Sequence, residues 1–436
     1  MATQAISIIR LSGEDSFKII NRSIRKDLNH ENGTTLRNFY DPKGNLLDQV
    51  FLITFVNPNS FTGEDVVEIN CHGGVLVTKR ILETLIANGA RMAERGEFSK
   101  RAFLNQKISL IQSQGINDLI EAKNDLALKI SAKNMSGKTN VLINEVKSNI
   151  MDVISKIQTA IDYPEYEETD NVTPENIKDD IVVLHNGIKK IIDLSKRASF
   201  SKNGIKTAII GVPNVGKSSL LNSFLNEDKA IVSNEQGTTR DIVEGEIAFS
   251  NFTLSLLDTA GIRKTENKIE QLGIEKSLQV AKDADLVLYL LDVKGDSKLI
   301  DVDKSKTIFV INKVDELSNE QRKNVENKFK EYSPVFVSAL NSDIDSLIKR
   351  IEDKFNLNEI AKSDEAILTN ADEIAKLTLA MSKVENALTN ISNGFSIDLI
   401  NIDLRTAFEE LNELLGFNEI EDEILDNIFK KYCLGK

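Results

Sequence analysis

The run Gly211-Val-Pro-Asn-Val-Gly216-Lys217-Ser218 fits G-x-x-x-x-G-K-[ST], a loop whose backbone N–H groups close around phosphates. An apolar stretch, Thr207 to Ile210, precedes it and a helical run, Ser219 to Leu225, follows; this is the strand-loop-helix context the motif demands. Asn214, Val215, Gly216, Lys217, Ser218 and Ser219 are therefore the expected phosphate contacts. Lys217 reaches the β- and γ-phosphates, and the Ser218 hydroxyl ligates Mg²⁺. Three further elements follow in order. Asp258-Thr259-Ala260-Gly261 closes a strand, with a carboxylate for the Mg²⁺ shell and an N–H for the γ-phosphate. Asn312-Lys313-Val-Asp315 closes another, and its carboxylate accepts from both N1–H and the 2-amino group of guanine, a pair adenine does not offer. Ser338-Ala339-Leu340 closes the last, where a backbone N–H meets the guanine oxygen. Each pattern is weak alone; in this order they specify GTP over ATP.

Gly237-Thr238-Thr239-Arg-Asp241 lies between the loop and Asp258. A threonine there completes Mg²⁺ coordination only when the γ-phosphate is present, which makes the segment a switch; Thr239 is the expected ligand. In Ras-type sites a glutamine follows the D-T-A-G element and orients water. Here that position is Ile262, so hydrolysis needs another group, with Arg263, Glu266, Glu270 and Glu275 the nearby candidates. Ser136-Gly-Lys-Thr139 is a partial copy of the loop. Ala132 replaces its upstream glycine and the surroundings are helical, so it reads as a surface helix segment.

A chain of 436 residues has room for two to four domains of about 100–200 residues each. Residues 1–108 mix β-rich runs (Ile6 to Leu11, Gln49 to Val56) with a helical stretch from Val75 to Asn88, an α/β domain. From Ser109 to Ala160 apolar residues recur every three or four positions with few Gly or Pro, and Ile177 to Ser199 reads as a further helix ended by Lys202-Asn203-Gly204. From 204 to 354 short apolar strands alternate with helical segments, which implies a doubly wound, mainly parallel sheet. Residues 355–436 are helical again. The expected organisation is 1–108, a helical domain in two parts (109–203 and 355–436), and an α/β domain (204–354) inserted between them; the two helical parts are amphipathic and need each other as packing partners.

The net charge of −13 excludes a basic nucleic-acid binder as a whole-chain reading. The charge is uneven: residues 1–108 carry 14 basic and 12 acidic side chains, residues 355–436 carry 7 and 16. No window approaches the roughly 18 apolar residues of a membrane span, and the first residues lack the pattern of a secretory signal, so a cytosolic protein is expected. Two cysteines and three histidines in unrelated contexts give no disulfide framework and no zinc spacing.

The phosphate loop, Gly-Thr-Thr-Arg-Asp and Asp-Thr-Ala-Gly-Ile-Arg together resemble the TrmE–Era–Der-like GTPases. Ser60-Phe-Thr-Gly-Glu-Asp-Val-Val-Glu68, Cys71-His-Gly-Gly74, Gly96-Glu-Phe-Ser-Lys-Arg-Ala-Phe-Leu-Asn105 and Cys433-Leu-Gly-Lys436 narrow the resemblance to the TrmE branch. The resemblance covers nearly the whole chain. It implies a tetrahydrofolate-binding N-terminal α/β domain that also dimerises, a discontinuous helical domain and an inserted Ras-like G domain. It further implies potassium-dependent GTP hydrolysis that serves modification of the tRNA wobble uridine, with a tetrahydrofolate derivative as one-carbon source and MnmG (GidA), which carries FAD, as partner in a heterotetramer. Carried over by motif, Asn214, Ser233, Glu235 and Thr238 would hold K⁺, Ser233 and Thr238 lying also against the nucleotide. Glu270, in Ile269-Glu270-Gln-Leu-Gly-Ile-Glu275, would position water. Arg10, Glu68, Lys107 and Lys436 would bind folate, and Cys433 would sit beside the folate-linked chemistry. Cys433 also mimics a C-a-a-X prenylation site, which Gly435 and Lys436 fit poorly. The family pattern has a further strand ahead of Ala5, so that strand is expected to be absent here or the chain to start further upstream than the sequence given; the stretch between Asp292 and Thr307 is short, which is expected to shrink or remove one helix. Without a basic surface of its own, the chain is expected to share tRNA binding with its partner and to bind tRNA weakly alone.

Overall fold

The computed structural model describes residues 3–163, 173–226, 231–233, 243–257, 279–291, 301–416, 429–430 and 432. The chain divides into two compact units, residues 1–113 with 415–436, and residues 114–414.

The first unit is built on an antiparallel sheet, β1 (Ile6–Ser12), β2 (Gly33–Tyr40), β3 (Leu46–Phe55) and β4 (Val66–His72), in the order β1-β4-β3-β2. Strand alternation sorts its side chains. Val50, Leu52, Val67, Ile69 and Cys71 turn inward against Phe17, Ile20, Ile81 and Leu85, which come from α1 (Ser16–Asn21) and α2 (Val75–Ala87). Each such fully buried side chain contributes about 1.5–3 kcal/mol. The other sheet face leaves Ile6, Ile8, Leu36 and Phe51 exposed; Ile8, Asn70, Phe51 and Leu36 are successive cross-strand partners. Helix α3 (Glu97–Leu104) follows Gly96, whose φ of 67° and whose approach to the Phe429 carbonyl, 2.3 Å from any added Cβ, both require glycine.

The second unit holds most of α4 (Leu110–Glu121), then α5 (Asp125–Met135), α6 (Lys138–Asp162), α7 (Pro174–Asn203), α11 (Leu357–Lys362), α12 (Ala371–Ser392) and all but the last residue of α13 (Ile397–Leu415), and α12 packs along α7. Thr173 caps α7 by accepting from the Asn176 N–H, with Pro174 in the first turn. Gly204 ends it at φ 78°, where a Cβ would meet Ser255 Oγ at 2.4 Å. The chain then enters β5 (Ile205–Gly211) and the sheet completed by β6 (Ile231–Ser233), β7 (Val243–Ala248), β8 (Thr253–Leu257), β9 (Leu286–Leu290), β10 (Thr307–Ile311) and β11 (Val335–Phe336). The order is β11-β10-β9-β5-β8-β7-β6, parallel from β11 to β8 and antiparallel over β7 and β6. Around it lie α8 (Lys217–Asn226), α9 (Asn319–Lys328) and α10 (Asp345–Lys354). The chain reverses direction across the sheet at β5, and the crevice beyond its carboxyl end is where open α/β sheets place ligands.

The five parallel strands coincide with the apolar runs in the sequence. The antiparallel edge was not expected: β7 reads Val-Glu-Gly-Glu-Ile-Ala, too polar and glycine-broken to stand out as a buried strand. The Ser136–Thr139 segment corrects its sequence reading. It is the joint between α5 and α6, and Thr139 is buried with its hydroxyl on Asn134 Oδ1 at 2.6 Å. The shortened stretch 292–300 lies outside the described residues.

One apolar cluster runs from α5 and α7 (Leu126, Ile130, Leu194, Ala198) through α8 (Leu220, Phe224) to β7, β8 and the turn between them (Ile247, Phe249, Phe252, Leu254). Beside it Asn124 stitches the helices to the sheet. Its amide nitrogen donates to the Ser201 carbonyl (2.7 Å) and Thr253 Oγ1 (3.2 Å), and its oxygen accepts from the Ala127 N–H and the Ser201 hydroxyl, both at 2.8 Å.

A second buried polar group centres on Asp118, which accepts from Gln114 (2.6 Å), Lys202 (2.8 Å) and Thr369 (2.5 Å). Glu373 faces it from α12; its carboxyl accepts from the Asn370 N–H, and its Oε2 has no hydrogen-bond partner among the described residues. Burial, then the Asp118 charge, push the Glu373 carboxyl up to about 7. A carboxyl raised on folding favours the folded state below its unfolded pKa and weakens it as pH rises towards 7. Glu373→Gln is therefore expected to stabilise the chain by about 2–3 kcal/mol at pH 8 and by little at pH 4, read from urea midpoints at both pH values.

Candidate nucleotide site

Backbone geometry at the end of β5 comes directly from residue choice. Gly211, at φ 151°, passes the Leu290 carbonyl so closely that a Cβ would lie 2.7 Å from it, and Gly216, at φ 105°, would put a Cβ 2.2 Å from Asn312 Nδ2. Asn214 is held at φ 63°, a left-handed conformation uncommon outside glycine but tolerated by asparagine. Its side chain is exposed, as are Ser218 and Ser219, and Val215 packs into the core below. Lys217 is half-buried. Its ammonium donates to the carbonyls of Gly211 and Val212, both at 2.8 Å, and burial pushes its pKa down. A phosphate in the loop would offset that cost.

Asn312, 5% exposed at the end of β10, joins the two halves of the site. Its Nδ2 donates to the Gly216 carbonyl (3.3 Å), while its Oδ1 accepts from the Lys313 N–H (2.8 Å) and the Ala339 N–H (3.0 Å). One carboxamide thus spans the phosphate loop, N-K-x-D and S-A-L. Lys313 at φ 63° turns the chain so that Asp315 meets the Ser338 hydroxyl, which donates to it. Ser338 is itself fixed by a two-way backbone bridge to Asp343. Leu340 stands exposed at the rim. Asn214 to Ser219, Asn312, Lys313, Asp315 and Ser338 to Leu340 therefore come together. Glu235, Thr238, Thr239, Asp258, Thr259, Ala260, Gly261 and Glu270, like Arg263, Glu266 and Glu275, lie outside the described residues, and of Ser233 only the backbone in β6 is described.

In the first unit, Arg10 and Glu68 are direct cross-strand partners on β1 and β4. The guanidinium donates from Nε at 2.9 Å, approaches the same oxygen at 2.7 Å, and lies 5.7 Å from the Phe98 ring centroid. Lys107 packs its stem against the Gly63 loop leading into β4. Lys436 and Cys433 lie outside the described residues. Sequence reasoning missed the polar chain beside this pair: Ser12 donates to Glu64 (2.9 Å), Arg101 to Glu64 (2.8 Å) and to Glu97 (2.8 Å), and Arg91 to Glu97 (2.9 Å). Burial opposes ionisation of Glu97, but the hydrogen bonds from Arg91, the Glu94 N–H and Arg101 outweigh it and hold its pKa at about 2. The signal was the i,i+4 spacing of Glu97 and Arg101 on a helix face.

Residues 1–107 match the model of the GTP-binding protein TrmE N-terminus, and residues 110–433 match that of the MnmE helical domain. The tRNA modification GTPase MnmE of Mycoplasma mycoides subsp. mycoides is 49% identical over 443 aligned positions, which cover all of this chain and 97% of that protein. That of Mesoplasma florum is 47% identical with the same coverage. The chain belongs to the MnmE family of tRNA modification GTPases. A solved structure, the G domain of the T. maritima FeoB iron transporter, matches 36% of this chain and 99% of that one at 23% identity and a TM-score of 0.23. As in the other members matched, the similarity spans both units rather than the phosphate loop alone.

Because Gly216 and the Asn312 carboxamide occupy one space, Gly216→Ala is expected to lower GTP affinity at least a hundredfold while the far-ultraviolet circular dichroism spectrum is kept. Titration with a fluorescent GTP analogue checks this.

Proposed function

We propose that this chain is a potassium-dependent GTPase that hydrolyses GTP to GDP and phosphate. With MnmG it adds a carboxymethylaminomethyl or aminomethyl group at C5 of the wobble uridine of certain tRNAs, drawing on a tetrahydrofolate one-carbon unit. The reading is carried by one observation, the Asn312 carboxamide that ties the phosphate loop to the base-recognition loops. In this reading 204–354 is the G domain, 109–203 and 355–436 the helical domain, and 1–108 the folate-binding and dimerisation domain.

The residues fit the groups this chemistry needs. The Gly216 cradle admits no side chain, and the Lys217 ammonium has two carbonyls as its partners, an arrangement suited to exchange for phosphate oxygens. The Asp315 carboxylate, oriented by Ser338, would accept from the guanine edge, and a backbone N–H of the Ser338–Leu340 turn would meet the guanine oxygen, the Ala339 N–H being held by Asn312. Ser218 and Thr239 would hold Mg²⁺, and Asn214, Ser233, Glu235 and Thr238 would hold K⁺; the chemistry such cations would supply is positive charge against the phosphoryl oxygens. With Ile262 unable to orient water, Glu270 does so.

For the folate, the Arg10–Glu68 pair offers a carboxylate to pterin N–H groups and a cation beside it, with Lys107 and Lys436 available to the glutamate tail. By its motif alone, Cys433 would take its place beside this chemistry. The exposed row Ile8, Phe51 and Leu36 supports pairing of two chains through the N-terminal sheet, since such a stripe is costly to leave in water. No helix among the described residues is long and apolar enough to cross a membrane, in keeping with a cytosolic site of action.

GTP turnover in K⁺ is expected to exceed that in Na⁺ at equal ionic strength by at least tenfold. Glu270→Ala in the same assay is expected to keep GTP binding and lose most turnover. Equal rates in the two salts would remove the potassium assignment, and near-normal turnover of the variant would remove that of Glu270. Nucleoside analysis of tRNA from a depleted strain, showing an unmodified wobble uridine, tests the pathway.

A further inference from the structure

The cations of the first unit are not spread evenly. A half-open cleft of about 320 Å³ is lined by Arg91, Glu94, Arg95, Glu97, Lys100, Arg101, Leu104, Phe429 and Lys430, five basic side chains against two carboxylates. The residues that build it are fixed. Phe429, 1% exposed, packs on Phe103, Leu110 and Tyr432, and the glycine at 96 lets its backbone approach α3. That packing brings Lys430, distant in sequence, to the same cleft wall as the α3 cations. Arg91 and Arg101 grip Glu97 from two sides, and their hydrogen bonds keep the carboxylate ionised and the guanidinium planes oriented. Arg91, Arg95 and Lys430 remain exposed at the rim.

Neither the GTP site nor the Arg10–Glu68 pair uses this cleft. Its net positive charge stands in a chain of net charge −13, and pairing of Arg91 and Arg101 with Glu97 and Glu64 balances only part of it. We propose that the cleft formed by α3 and the Phe429–Lys430 segment is a binding site for the phosphodiester backbone of RNA. An open groove with the exposed cations Arg95 and Lys430 at its rim suits a passing polyanion, while Arg91 and Arg101, held on Glu97 and Glu64, shape its wall. The small number of cations makes the contact weak and salt-dependent, which agrees with a chain that shares its RNA with a partner. This inference rests on the tRNA reading above.

The test is titration of labelled tRNA with the full-length protein at several salt concentrations, comparing wild type with the double variant Arg95→Ala/Lys430→Ala. Neither residue touches the nucleotide site, so GTP turnover without tRNA is measured as the control for folding and is expected to be unchanged. The variant is expected to bind tRNA about tenfold more weakly at low salt, and the slope of log affinity against log salt is expected to fall by about one to two. Equal affinity and equal slope in the two proteins would overturn the cleft and leave the tRNA reading standing. No tRNA binding by the wild type at any salt, with the wobble uridine unaffected in a depleted strain, would overturn both. Should the double variant lose its basal GTP turnover, Arg95→Lys/Lys430→Arg, which keeps the charge, must retain wild-type tRNA affinity, and weaker binding by that variant would overturn the proposal.

Discussion

The nucleotide site depends on a single buried carboxamide. Among the described residues, the Asn312 side chain touches the phosphate loop at Gly216 and the base-recognition loop at Ala339 together. A buried amide that leaves a donor or acceptor unpaired costs about 1–3 kcal/mol per group, so these three segments hold one another in register. Much around them follows from this. Gly216 has no side chain because Asn312 fills its place. Lys313 takes a left-handed backbone because its N–H must turn back onto the Asn312 oxygen. The resulting turn delivers Asp315 to Ser338.

The two polar joints beneath the sheet play a different part. Asn124 satisfies four groups from α5, α7 and β8, and it closes the seam where the apolar cluster passes from helices to sheet. Asp118 collects three donors, while Glu373 beside it is left, among the described residues, with only the Asn370 N–H and an unpaired Oε2. The first joint is fully paired and rigid. The second carries a carboxyl whose charge is expensive at neutral pH, close to the end of α7 that leads into β5.

Much of this was legible from sequence. The phosphate loop, N-K-x-D and S-A-L fall at the ends of β5, β10 and β11 because strand ends are where backbone N–H groups become free to bind. The five parallel strands were visible as apolar runs, most of them largely buried. Strand β2, at a sheet edge, and strand β7, one strand in from the edge, were not, because they carry Thr, Asn, Glu and Gly rather than a continuous apolar run. The Arg10–Glu68 pairing depends on strand register, which neither residue's neighbours specify. Asn124 looked like an ordinary polar residue between helices, since a cap that also bonds across 77 and 129 residues of chain leaves no local pattern. The basic cleft was hidden for the same reason: the near-neutral count over 1–108 averages α3 with the rest, and Lys430 sits in the most acidic part of the sequence.

The central claim is that one carboxamide couples the phosphate and base halves of the nucleotide site. Calorimetric titration of Asn312→Ala with GDP tests it most directly, alongside the thermal midpoint of the nucleotide-free protein. The account predicts a loss of affinity of a hundredfold or more with a drop of only a few degrees in the midpoint. GDP affinity within threefold of wild type would contradict it.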